Sequence, residues 1–173
     1  MTQSERSLHN LPGAQERIRN DVEKFGWHVM LVLAEGSSPG WGYSIGLHET
    51  FKHPEVVLFG LSKDLTHSTI NFIGNEIKTG KRFEPGEQYP DILEGVYCSF
   101  QSVEKIWFAP FLGQAATYYR TSAFPCLQCI WPDKNQHYPW DVNFRRDWVW
   151  AQPLLYHADP IGLMPLRFCN RAV

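Results

Sequence analysis

The sequence predicts a single α+β domain, a mainly antiparallel β-sheet with two or three packed helices. Three observations predict it. The apolar, strand-like segments are mostly joined by turns, with helices inserted. Helical periodicity is confined to separate stretches between those segments. No glycine-rich phosphate loop follows any strand, which argues against a doubly wound nucleotide-binding sheet. The chain of 173 residues suits one domain. A chain this long buries roughly 70% of the surface its unfolded form exposes, so it needs no disulfide or metal for stability. The expected limits are a flexible N-terminus at 1–12, the domain at 13–157, and an irregular tail at 158–173 that carries Pro160 and Pro165.

Each element has its own reason. Ile18, Val22 and Phe25 fall at helical spacing and Gly26 suits a C-terminal cap, so a short amphipathic helix is expected over 14–25. Residues 27–34 (WHVMLVLA) are nearly all apolar and read as a strand covered on both faces. A turn at 35–40 (EGSSPG) leads to a second strand at 41–47. Its Gly42 and Gly46 mark a bulge or a close backbone approach, and the two strands form a hairpin. Residues 48–54 read as a polar loop, and 55–61 (EVVLFGL) as a strand apolar on both faces. Ser62 caps the next helix and Asp64 favours its positive end. Leu65, Thr69, Phe72, Ile73 and Ile77 form its expected inner face, and Gly80 ends it.

Pro85, Gly86, Pro90 and Gly95 make 83–95 a loop. A strand follows at 96–103. A helix begins near Pro110, with Phe111, Leu112, Ala115, Tyr118 and Tyr119 on its inner face. The last clear strand is 125–131. Beyond Trp140 the pattern blurs, although Phe144, Trp148 and Trp150 suggest packing against the body.

Composition excludes some classes of function. The net charge is −2, and basic residues cluster only loosely at Lys78, Lys81 and Arg82. Phosphate-driven nucleic-acid binding is therefore not expected. No apolar run approaches the ~20 residues that span a bilayer, so no membrane partner is expected. Residues 1–20 are polar and charged, unlike a signal peptide, and the cytoplasm is the expected location. Cys98, Cys126, Cys129 and Cys169 should then be free thiols.

Candidate chemistry is sparse. Trp131-Pro132-Asp133 and Pro139-Trp140-Asp141 enclose a rigid, shaped loop fit to wall a pocket. Tyr43, Trp41, Trp131, Tyr138 and Trp140 would supply an aromatic wall, or equally the aromatics of a core. His48, Glu49 and His53 could begin a metal or acid–base site, or simply solvate a loop. Asp133 and Asp141 flank His137 and could divide acid and base roles, although Asp after Pro is also a common turn residue. Cys126 and Cys129 form a lone C-x-x-C inside a strand. Residues three apart point to opposite faces, so the thiols would not meet. No second ligand pair accompanies them, and no nucleophile elbow or nucleotide-binding motif occurs.

Tyr43-Ser44-Ile45-Gly46-Leu47, His53-Pro54-Glu55, Phe59-Gly60-Leu61, Gln128, Trp131-Pro132-Asp133, Pro139-Trp140 and Gln152-Pro153 together, in order and spacing, resemble the bacterial domain-of-unknown-function family 4262. The resemblance covers about 22–155. Ser44 stands where that family usually has Thr, and Cys126 and Cys129 where it commonly has aliphatic residues. The resemblance implies a small soluble bacterial protein and carries no activity with it. It does supply positions of interest: Tyr43, His53, Glu55, Gln128, Trp131, Asp133 and Trp140.

The expected function is a binding or accessory module, immunity-like in kind, whose aromatic-lined pocket takes a protein partner or a small-molecule ligand. Tyr43, His48, Gln128, Trp131 and Trp140 are the candidate ligand contacts. The abundance of Trp and Tyr without a catalytic set favours it. The alternative is a small-molecule enzyme, metal-assisted or not, using His53, Glu55 and Asp133. A cofactor-binding barrel is a third reading. The sequence identifies neither a cofactor nor a metal.

Overall fold

The computed structural model describes residues 12–145, 148 and 151–158. The expected flexible N-terminus, most of the tail and Trp150 lie outside the described residues. The elements run α1 (Pro12–Phe25), β1 (His28–Val32), β2 (Trp41–Ile45), α2 (Leu47–Phe51), β3 (Glu55–Phe59), α3 (Lys63–Lys78), β4 (Gln88–Leu93), β5 (Val96–Ser102), a 3-10 turn (Lys105–Trp107), α4 (Phe108–Phe111), α5 (Gly113–Tyr119) and β6 (Cys126–Ile130).

The six strands form one sheet in the order β1-β2-β3-β6-β5-β4. Every neighbouring pair is antiparallel except β3 with β6, where Val57 stands opposite Gln128. The chain is thus an α+β domain. The sheet is open, with β1 and β4 at its edges, so the barrel reading is corrected. Its central strands β2, β3 and β6 are buried along their whole length. Their residues alternate between two cores. Tyr43, Val57 and Phe59 pack with Ile18 and Val22 of α1 and with Phe108, Phe111 and Leu112. Val56, Leu58 and Cys129 pack with Ile70, Ile73 and Ile77 of α3. Helices on both faces explain why these strands read as continuous apolar runs.

Local signals set the helices. Ser62 Oγ accepts the Leu65 N–H at 3.3 Å and starts α3, a cap of about 1 kcal/mol. Gly42 lets α3 lie close on the sheet, because a Cβ there would stand 2.6 Å from the Thr66 methyl.

Five local expectations are corrected. The inner stripe of α3 runs through Thr66, Thr69, Ile70, Ile73 and Ile77, and Leu65 and Phe72 face outward. Strand β1 buries only Met30 and leaves the rest half-buried, because it is an edge strand. Residues 83–95 contain β4, where Pro90 is tolerated because β4 is also an edge and its register shifts between Tyr89 and Leu93. The polar loop at 48–54 contains α2. The helix near Pro110 starts at Phe108, directly after the 3-10 turn, and divides at Leu112, with Pro110 inside its single first turn.

Candidate functional site

Glu55 opens β3 and is fully buried. Four donors converge on its carboxylate. Ser44 Oγ donates to Oε2 at 2.5 Å. The Gly46 and His48 N–H groups donate to Oε1 at 2.9 and 3.1 Å, and Tyr119 Oη donates to Oε1 at 2.5 Å. Ser44 Oγ in turn accepts the Val56 N–H at 2.9 Å. Gly46 has φ 112°, and a Cβ there would meet Val22 at 2.6 Å, so glycine is required. It has no capping side chain of its own, and Glu55 takes that role from across the sheet, at the positive end of α2. Burial, and then the charge of Glu55, push the Tyr119 phenol far up, which keeps it a donor. The His48 ring meets Tyr119 edge-on, and its Nδ1 is buried without a hydrogen-bond partner.

His53, Gln128 and Asp133 are not part of this cluster. His53 is buried, with Nδ1 2.8 Å from the Pro54 carbonyl and Nε2 accepting the Phe83 N–H at 3.0 Å. Both ring nitrogens are engaged by backbone, which assigns the proton to Nδ1. Burial holds its pKa below the ordinary value. Gln128 donates to the Pro153 carbonyl at 2.7 Å and accepts the Leu155 N–H at 2.9 Å.

Asp133 accepts the N–H groups of Asn135 and His137 at 2.8 and 3.0 Å, and its Oδ2 lies 3.2 Å from His137 Nδ1. Burial alone would raise its pKa. The His137 and Asn135 N–H groups and the His137 ring outweigh that and hold it low. Asp141 accepts the Tyr138 N–H at 2.6 Å, so the two Asp residues brace separate turns of one loop. Glu49 accepts from Tyr118 Oη at 2.6 Å, away from His53. Among the described residues, no three His, Cys, Asp or Glu side chains are grouped to hold a metal ion.

The sheet divides the nominated aromatic residues. Trp41 and Tyr43 lie in the core beneath α1 and α5, and Tyr43 Oη accepts the Gln114 N–H at 3.3 Å. Trp131 lies in the opposite core, its indole donating to the Phe59 carbonyl at 2.8 Å. Trp140 stacks on Tyr138 with ring centres 4.8 Å apart and is 41% exposed. The thiols are divided likewise, Cys126 into the first core and Cys129 into the second. Burial pushes the Cys126 thiol up, and contact with Cys98 followed by burial does the same to Cys129.

A different place in the fold is open. A cleft of about 430 Å³ lies between α1, β1 and α3, walled by Phe25, Trp27, Asp21, His28, His67 and Asn71. Gly26 turns the end of α1 back into β1. This turn sets Asp21 Oδ2 2.7 Å from His28 Nδ1. The Trp27 indole donates to Asn71 Oδ1 at 3.0 Å, tying the turn to α3. Sequence reading missed this pair because neither residue lies in a motif. The signal was an Asp in the last two turns of a helix and a His just past its glycine cap.

No curated protein and no solved structure matches the chain. A family model does match, over residues 21–145, which is most of the sequence. That span contains the Ser44–Glu55 brace, His53 and the turn at Asp133, all within the segments that carried the resemblance, while Gln152-Pro153 lies beyond it. The chain therefore belongs to the family described as Domain of unknown function (DUF4262).

Proposed function

We propose that the protein is a binding module that takes a small ligand in the cleft between α1, β1 and α3. The carrying observation is the cleft itself. Apolar surface from Phe25 and Trp27 meets convergent polar groups from Asp21, His28, His67 and Asn71 in a space the size of a small-molecule site. The nominated catalytic residues support the same reading from the other side, since His53 and Asp133 are engaged by backbone groups. Trp140, half-exposed on the far loop, is the nominated contact most open to a protein partner.

The test is an amide-shift NMR screen of the whole chain against a mixed library of polar and aromatic small molecules. The expected result is saturable shifts confined to the ends of α1 and β1 and one face of α3, lost in Phe25→Ala. Ligands that shift only residues elsewhere, or shifts unchanged in Phe25→Ala, would exclude the cleft.

A second reading is an enzyme centred on Glu55, favoured by its two short hydrogen bonds and by the unpartnered His48 Nδ1. It requires that Tyr119→Phe abolish turnover of a substrate that the wild type converts. Unchanged turnover would remove it.

A further inference from the structure

We propose that the cleft takes a flat aromatic ligand bearing an acidic hydroxyl, a phenol or an enol, and that His28 Nε2 accepts its proton. The inference rests on the reading of the cleft as a ligand site.

The polar wall has a helical origin. His67, Asn71, Asn75 and Lys78 recur along α3 at spacings of four, four and three, so one helix face presents them all. Facing that row is the α1–β1 turn, with Phe25 48% exposed and Trp27 and Val29 beside it. A flat ligand with one hydrogen-bonding edge matches an apolar wall set against a polar row.

Asp21 and His28 supply the chemistry. A carboxylate accepts only, so in the neutral imidazole the 2.7 Å contact places the proton on Nδ1 and leaves the Nε2 lone pair as the acceptor. Among the described residues, the contact with Asp21 is the one hydrogen bond the His28 side chain makes, and Nε2 is not sealed off as a buried unpartnered atom. A carboxylate behind an imidazole fixes its orientation and stabilises the imidazolium that forms on proton uptake.

The step balances without a co-reactant. The ligand O–H bond breaks, its electron pair stays on oxygen, and an N–H bond forms at Nε2. The ionisable groups lining the cleft are Asp21, His28, His67 and Lys78. Asp21 and Lys78 bring one negative and one positive charge to it. After transfer, the ligand oxyanion faces imidazolium and ammonium. Asp21 is a positioning residue here, and His28 is the group that touches the ligand.

The test uses p-nitrophenol, whose phenolate absorbs visible light while the phenol does not. The probe is titrated against the intact protein at a pH below its own pKa. The expected result is saturable binding with the ionised-to-neutral ratio of the bound probe raised about tenfold, one pKa unit, together with an NMR shift of the His28 ring protons. His28→Ala should bind the probe but lose the rise in phenolate. Asp21→Asn should reduce that rise, and Phe25→Ala should weaken binding, with circular dichroism showing each variant folded.

A probe that binds the cleft and stays neutral, or ionises equally in His28→Ala, overturns the proton transfer while leaving the cleft reading intact. Failure of p-nitrophenol to bind while other library members shift the cleft overturns the ligand class. If no compound shifts the cleft at all, the underlying reading fails.

Discussion

Ser44 and Glu55 face each other across the β2–β3 pair in a relay, with Ser44 Oγ donating to the Glu55 carboxylate at 2.5 Å while accepting the Val56 N–H at 2.9 Å. One strand of the sheet thus fixes the first residue of the next, and that residue caps α2. Removing the acceptor strips Ser44 Oγ, the His48 N–H and Tyr119 Oη of their shared partner, while the Gly46 N–H keeps only its contact with Tyr119 Oη at 3.1 Å. Hydrogen bonds to charged groups contribute about 1.5–3 kcal/mol each, and losses within one network do not add fully. Glu55→Ala is expected to destabilise the fold by about 3 kcal/mol or more in urea unfolding, and Ser44→Ala by about 1–2 kcal/mol. Unfolding midpoints within experimental error of the wild type would show the relay to be incidental.

His53 makes a distinct, pH-dependent contribution. Its folded-state pKa lies below the ordinary value of 6.5 because burial disfavours the imidazolium. The unfolded chain therefore takes up a proton first as the pH falls. Stability from this group is whole above about pH 6.5 and declines as the pH drops through the window between the unfolded and folded values. His53→Gln should flatten that part of the stability–pH curve. His53→Ala should cost about 2–3 kcal/mol through the unpaired Phe83 N–H and the space left behind. Parallel wild-type and His53→Gln curves between pH 7.5 and 5 would contradict this.

Asp133 acts at lower pH. Its carboxyl is held below the ordinary 3.8, so its stabilising contribution is present above that value and is lost as pH falls through the folded-state pKa. Asp133→Ala should speed hydrogen exchange at the Asn135 and His137 amides at neutral pH, while leaving the amides of β3 protected. Unaltered exchange at those two amides would show that the loop is held by other contacts.

The legible parts of this molecule were those written locally. Ser62 and Asp64 announced α3, and the unbroken apolar runs announced β3 and β6. Strand β4 was hidden by Pro90, whose cost vanishes at an edge that only the assembled sheet reveals. Helix α2 was hidden because its cap comes from Glu55, on the next strand. Candidate sites suffered the same asymmetry. His53, Glu55 and Asp133 looked chemical because they are polar residues at marked positions, yet their hydrogen bonds hold structure: His53 joins the Pro54 and Phe83 backbone, Glu55 takes Ser44, Tyr119 and two N–H groups, and Asp133 braces its own turn. Asp21 and His28 looked ordinary because one lies in a helix and the other opens a strand, seven residues on. The turn at Gly26 is what joins them.

Gln128 and Gln152 form a reciprocal clasp that gives a last prediction. Gln128 on β6 binds the backbone of Pro153 and Leu155, while Gln152 accepts the Trp131 N–H at 3.0 Å and donates to its carbonyl at 2.8 Å. Each side chain replaces the ladder partner that the other segment lacks, so 152–155 is held beside β6 without being a strand. Gln128→Met keeps the volume but strands one carbonyl and one N–H in a buried setting. Leaving two buried backbone groups unsatisfied costs about 2–4 kcal/mol. Much of that cost is avoided if the segment peels away into water. Gln128→Met should therefore expose the chain near Leu154 and Leu155 to limited proteolysis while leaving the six-stranded sheet intact. Cleavage no faster than in the wild type would mean that Gln152 and apolar packing hold the segment without Gln128.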